Sequence, residues 1–267
     1  MRRFSLPLVI LGSIVIAAIL TWVAISAGAS KARDEMRERA AAPTSMVTEP
    51  FRHIDISGQA EVTLVQGALE SVSYDAPVQK PSRVNVGVRD GTLYIAFADR
   101  EPWWNALWSG RSSRPPQIVV TFIDVESIST AGAVKVVAKR VHVPDLRITG
   151  AGGTTLRIDD LQTRRLRLSG AGAIKAELGG RATEQTLSIS GAGEYRGARL
   201  VSENATVIVA GAGRVVINAE KTLKATISGA GSVEYLGDPQ VTEHISGAGR
   251  VRKRDASLQG ARIALAE

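Results

Sequence analysis

Residues 166–176 read Leu-Arg-Leu-Ser-Gly-Ala-Gly-Ala-Ile-Lys-Ala. Taken in steps of two, Leu166, Leu168, Gly170, Gly172, Ile174 and Ala176 fall on one side of an extended chain. Arg167, Ser169, Ala171, Ala173 and Lys175 fall on the other. An apolar period of two marks a strand with one buried face, whereas an amphipathic helix requires 3.6. Because the alternation runs straight through the glycines, the expectation is that both point inward, within a strand or at a bend. There they leave room for a close backbone approach or a sharp corner.

The same reading holds along the second half of the chain. Gly-Ala-Gly triplets open at Gly150, Gly170, Gly191, Gly211, Gly229 and Gly247, at a near-constant interval. Thr130-Ala131-Gly132, one interval before the first, is a degenerate copy. A fixed period of this length is the mark of a repeat architecture in which each unit buries its apolar face against the next. About 20 residues at ~3.3 Å each trace roughly 66 Å, enough for two or three short strands joined by tight corners. The fold class expected is therefore all-β: a parallel β-solenoid or β-helix-like domain of ~20-residue coils. If the coils stack by their motifs, Ser169, Ser190, Ser228 and Ser246 form an outward ladder beside Ala171, Ala192, Ala230 and Ala248.

The first half follows the same pattern more loosely. Ile54 to Val62 alternates, and Val84–Val88 leads through Asp90-Gly91, a hairpin-type turn, to Leu93–Phe97. Residues 47–125 are expected to be the irregular opening part of the same body, capping one end. Residues 126–253 form the coils, and 254–267 a tail or short capping helix starting at Asp255.

At the other end, Arg2 and Arg3 precede an apolar run from Leu6 to Ala27, long enough to cross a ~30 Å hydrocarbon layer as a helix. Ala27-Gly28-Ala29 also has the small-x-small form of a cleavage site. Residues 1–29 are thus a signal anchor, the reading that length favours, or a signal peptide cut after Ala29; residues 30–46 are a linker. Both readings export the remainder. The expected location is the inner membrane, with the domain in the periplasm or outside the cell, or secretion if the signal is cleaved.

Composition narrows the chemistry. The chain has 267 residues, no cysteine, 4% aromatics and a formal charge of +7. The N-terminal arm to residue 45 holds six basic and three acidic residues, so +4 remains for everything after it. That weak basic bias suits anionic envelope polymers or plain solubility, and no nucleic-acid partner is expected. Without cysteine, disulfides and thiolate metal sites are excluded. His53, His142 and His244 sit in unrelated contexts, and a triad or metal centre is not expected from them. The adjacent pair Asp159-Asp160 reads as a turn. The Gly-Ala-Gly copies lack the Gly-Lys-Ser/Thr of a phosphate-binding loop. No catalytic, cofactor or metal residue is assigned, and no cofactor is expected.

Three surfaces remain as contact candidates. The first is the smooth serine–alanine face, which packs on a partner, packs on another copy of the chain or is simply solvated. Trp103, Trp104 and Trp108 share one irregular segment rich in proline and glycine, where they would seat the domain on lipid headgroups, stack on sugar rings, or plug an end of the stack. Arg250, Arg252, Lys253 and Arg254 form a basic patch that touches anionic polymers or keeps the last edge strand soluble.

The Ser-Gly-Ala-Gly copies, together with Phe51-Arg52-His53-Ile54-Asp55-Ile56-Ser57-Gly58 and Ser232-Val233-Glu234-Tyr235-Leu236-Gly237-Asp238-Pro239, resemble a family of bacterial envelope proteins. That family is described as putative auto-transporter adhesin, head GIN domain. The resemblance spans roughly residues 47–253 and implies a β-solenoid-like domain of unestablished function, for which adhesion is proposed from architectural likeness. It brings no functional residues. The function expected is a non-catalytic, adhesin-like binding module tethered to the envelope, with an envelope glycan or protein as partner. A solenoid enzyme acting on polysaccharide, and a structural spacer or signalling ectodomain, are the alternatives.

Overall fold

The computed structural model describes residues 44–74, 84–97 and 117–254. Residues 1–43, with the apolar run, and 98–116, with Trp103, Trp104 and Trp108, lie outside the described residues, as do 75–83 and 255–267. Among the described residues there is no helix, and so none long and apolar enough to cross a membrane.

Within the described residues, twelve strands form one mixed, open sheet. Its spine is parallel. Strand β2 (His53–Gln66) lies beside β7 (Ser127–His142), β7 beside β8 (Asp145–Gly211), and β8 beside β9 (Arg214–Gly229). The stack ends on β10 (Ser232–Leu236), β11 (Gln240–Ser246) and β12 (Arg250–Lys253). The register is the sequence repeat made visible: Gly132 lies on Gly152 and Gly211 on Gly229, each one repeat further along the chain.

The opening part is mixed. Strand β5 (Thr92–Phe97) pairs with the first half of β2, and β6 (Gln117–Phe122) with its second half. Later residues thus cover the free edge of an earlier strand. Antiparallel additions complete this end: β4 (Val84–Arg89) on β5, β3 (Ser71–Tyr74) on β6, and β1 (Thr44–Val47) on β3. The Asp90-Gly91 turn forms as the sequence indicates. Arg89 pairs with Thr92, and both turn residues have positive φ (50° and 69°), the pattern of a type I′ hairpin.

The core is a continuous column of aliphatic side chains, with Ile56, Val62, Val136, Ile158, Leu178, Val207, Ile217 and Val233 all fully buried. Outward neighbours such as Arg167 and Lys175 are exposed. Each fully buried aliphatic contributes about 1.5–3 kcal/mol, so no single coil offsets its own chain entropy and the stack stabilises itself cooperatively.

The triplet glycines do not both point inward. Gly170 is buried, but Gly172 is exposed with φ +108°. One glycine of each triplet packs in the core while the other turns the corner, a backbone conformation that β-carbon sterics deny to other residues. The corner glycines stack on one another: Gly58, Gly132, Gly152, Gly172, Gly191, Gly211, Gly229 and Gly247, all with positive φ. Up to Gly172 the corner is the second glycine of its motif; from Gly191 on it is the first.

Packing explains this shift. At several corners, of the residues two positions before and two after the corner glycine, one is large where the other is glycine. At Gly172 the pair is Gly170 and Ile174; at Gly191 it is Ile189 and Gly193; at Gly211 it is Val209 and Gly213. A methyl group on Gly170 would lie 2.1 Å from Ile174 Cδ1, and one on Gly193 2.6 Å from Ile189 Cγ2. At Gly170, Gly193 and Gly213 the bulky residue two positions beyond the corner fills the space the glycine leaves open. Gly150, Gly231 and Gly249 are met first by a residue of a neighbouring repeat (Ile174, Val209 and Ile227), and the two arrangements are alternative solutions to one volume.

The shift also splits the expected serine ladder. Ser228 stacks on Ser246 and Ala210, but Ser169 lies two positions further from its corner than Ser190 does. What lines the corner outside is mainly alanine, including Ala131, Ala151, Ala212, Ala230 and Ala248, all exposed.

The coil in which the shift occurs carries a buried polar pair. Gln185 (2% exposed) donates from Nε2 to the hydroxyl of Tyr195 (1% exposed), while Gln185 Oε1 has no partner. Gly197 leaves the space the tyrosine ring occupies. Tyr195→Phe is expected to cost about 1–3 kcal/mol, because it leaves a buried amide wholly unpaired. The double variant Gln185→Leu/Tyr195→Phe is expected to recover most of that loss in urea denaturation. Burial pushes the Tyr195 phenol above its ordinary range, against the smaller opposing effect of the Gln185 hydrogen bond. The folded chain holds this proton more tightly than the unfolded one. Its contribution to stability is complete below pH ~10 and declines above it; Tyr195→Phe is expected to flatten that alkaline limb.

Candidate functional site

Beyond the corner, the chain runs outward–inward along each coil, and the outward positions third and fifth past the glycine align between coils. The first column is Glu194, Arg214, Ser232 and Arg250; the second is Arg196, Val216, Glu234 and Arg252. Apart from Ser232, which faces a smaller concavity, they line a concavity of about 820 Å³ together with Glu177, Arg199, Lys253 and Arg254. Seven basic and three acidic side chains face it.

The carboxylates are all engaged. Glu194 pairs with Arg196 at 2.8 Å, Glu177 with Arg199 at 2.9 Å, and Glu234 with Arg252 at 2.5 Å and Arg254 at 3.8 Å. The hydrogen bond from Arg252 holds the Glu234 carboxyl below its ordinary range, outweighing the desolvation that opposes it. Arg214 and Arg250 differ. Among the described residues neither has a carboxylate within 4.0 Å. Ser232 lies between them in the column, and its hydroxyl, withdrawn from solvent, has no hydrogen-bond partner. A smaller concavity of about 320 Å³ adjoins this point, floored by Gly213 and Gly231 and bordered by Ala212, Ala230 and Ala248.

The basic patch seen in the sequence, Arg250 to Arg254, is thus one wall of this groove. Arg196, Arg199 and Arg214 were not singled out from the sequence, although Arg196 and Arg214 sit on outward parity positions past a corner glycine. Arg199 falls in the register irregularity after Gly197, which breaks that parity. The other residues considered do not converge on a site. His53 Nδ1 lies 2.8 Å from Ser127 Oγ, His142 pairs with Asp160 at 3.0 Å, and His244 is exposed on β11. Asp159 and Asp160 lie in the long β8, beside the positive-φ Gly180 of a neighbouring stretch, and Asp159 pairs with Arg157 at 2.9 Å. Among the described residues no group of three or more His, Asp or Glu side chains is placed to hold a metal ion.

A family model, putative auto-transporter adhesin, head GIN domain, matches residues 50–239. The chain belongs to that family. The matched span of this head GIN domain protein runs from just before Phe51 to Pro239, and so takes in all of the stack except the last coil. The fold recurs in solved structures. A putative adhesin of Bacteroides fragilis superposes with a TM-score of 0.71 at 20% identity, covering 79% of this chain and 96% of that one. A putative lipid binding protein of Parabacteroides distasonis does so at 0.59 and 20% identity, covering 80% and 96%. A putative adhesin of Parabacteroides merdae gives 0.60 at 18% identity, with 80% and 96% covered. At these identities the likeness is one of fold. No curated protein matches the chain.

Proposed function

We propose that this head GIN domain protein is a non-catalytic, adhesin-like binding module of the cell envelope, whose coils stack as a β-solenoid. The observation that carries the reading is the groove: a concave surface crossing several coils, in which every carboxylate is held by an arginine. A glycosidase needs two carboxyl groups facing its substrate, one of them protonated, and Glu234 is held in the opposite state. The parallel register, advancing one repeat per coil, supports the solenoid reading, and the adhesin names of the fold relatives fit an envelope role. The apolar run from Leu6 to Ala27 exports the domain and tethers it.

Immobilised full-length protein is expected to retain envelope material, either polysaccharide that survives proteinase treatment or protein that does not. No new reducing ends are expected to appear. Release of reducing ends would replace this reading with the solenoid enzyme, and retention of neither fraction would leave only a spacer.

A further inference from the structure

Resting on the binding role just proposed, we infer that the Arg214–Ser232–Arg250 column is an anion-binding slot for a linear acidic glycan, a sugar chain bearing carboxylate groups. The argument begins with spacing. Successive parallel strands lie ~4.8 Å apart, so Arg214 and Arg250, two strands apart in register, rise from backbone points roughly 9.6 Å apart. Ser232 between them is short and leaves the gap open. Arginine side chains on these two stems are long enough to reach over the gap and fork onto one carboxylate between them.

The electrical state of the slot agrees. Where Arg196, Arg199 and Arg252 are bound to glutamates, Arg214 and Arg250 have no carboxylate within 4.0 Å among the described residues. Arg214 acts on Glu234 only through space, as the last of the charges that lower its carboxyl. Between them the Ser232 hydroxyl is buried and unpartnered, a donor left unused that a bound carboxylate oxygen would accept from.

Shape selects the occupant. The groove is concave and crosses the strands, so a flexible polymer enters it and a flat bilayer does not. Its described lining offers no exposed large apolar or aromatic side chain: Tyr195 and Val216 are buried, and the adjoining shelf is alanine. Interfacial lipid contact and protein docking both rely on such side chains. The glycine floor and alanine border instead leave room for sugar rings to pass while their acid groups turn toward the arginines.

The test uses full-length protein in zwitterionic detergent micelles, titrated calorimetrically with decagalacturonate, with maltodecaose as the neutral chain. Binding of the acidic chain alone is expected, weakening as NaCl rises. Arg214→Gln/Arg250→Gln is expected to weaken it by about tenfold or more, and Arg214→Lys/Arg250→Lys by several-fold, since lysine keeps the charge but loses the fork. Arg147→Gln/Arg167→Gln removes the same charge from exposed positions outside the groove and is expected to change affinity less than about twofold. Urea midpoints of all variants establish folding. Equal weakening by the two Gln pairs overturns the slot in favour of diffuse charge. Binding of maltodecaose as strongly, or a response only to phosphatidylglycerol added to the micelles, overturns the glycan assignment. If decagalacturonate is not bound but envelope fractions are still retained, the slot is overturned while the binding role stands.

Discussion

Gly211→Val is expected to destabilise the protein by about 2–6 kcal/mol, a loss comparable with the whole stability of an ordinary domain. Two effects add. Gly211 holds φ at +126°, where a β-branched residue is strained by about 1–3 kcal/mol. Its new Cβ would also lie 2.6 Å from the carbonyl oxygen of Gly191, so the backbone of two coils must separate, at about 1–3 kcal/mol more. The neighbouring change Ala212→Val supplies the contrast. Ala212 is exposed on the outer shelf, and a surface substitution of this kind is expected to stay within about 0.5 kcal/mol. Urea midpoints of the two single variants would separate the outcomes; equal midpoints would mean that the corner column does not hold the coils in register.

The second large effect is expected at Gly170 and Ile174. Ile174→Gly empties a buried site and is expected to cost about 3–5 kcal/mol, and Gly170→Ile drives a side chain into Ile174 at about 1–3 kcal/mol or more. Exchanging both turns this coil from the small-then-large arrangement into the large-then-small arrangement of the coil at Gly191. The exchanged variant is therefore expected to be more stable than the sum of its parts by about 2 kcal/mol or more, measured as a double-mutant cycle. Additive losses would show that the two arrangements are not interchangeable.

Much of the architecture was legible in residues 166–176. The two-residue period separates Leu166 and Leu168 from Arg167, and the triplet spacing predicts the pairing of Gly132 with Gly152 and Gly211 with Gly229. Which glycine turns the corner was not legible. Moving the corner by two positions leaves every side chain on the same side, so the Leu187–Tyr195 and Leu166–Ile174 segments look alike while turning at different glycines. Only the volume around the partner glycine distinguishes them, and that depends on the coils above and below. The opening part was read as a looser version of the coils. Its antiparallel strands, and the return of β5 and β6 to cover β2, depend on contacts far apart in sequence that periodicity does not carry.

The groove shows the same boundary. Arg250, Arg252, Lys253 and Arg254 stand out because they are adjacent in the chain. Arg196 and Arg214 come to join them only when successive coils are laid side by side, since each is isolated in its own segment. The engaged state of Glu234 and the open state of Arg214 likewise follow from neighbours one coil away.

The interchangeable corners bear on how such a molecule lengthens over evolutionary time. Unequal recombination between two Ser-Gly-Ala-Gly copies inserts or deletes one whole coil. Because the same four residues close the core whether the corner falls on the first glycine or the second, the new junction packs in either phase. The length of the stack is then a trait that drifts in steps of about 4.8 Å, the spacing of neighbouring strands, without the interior being redesigned.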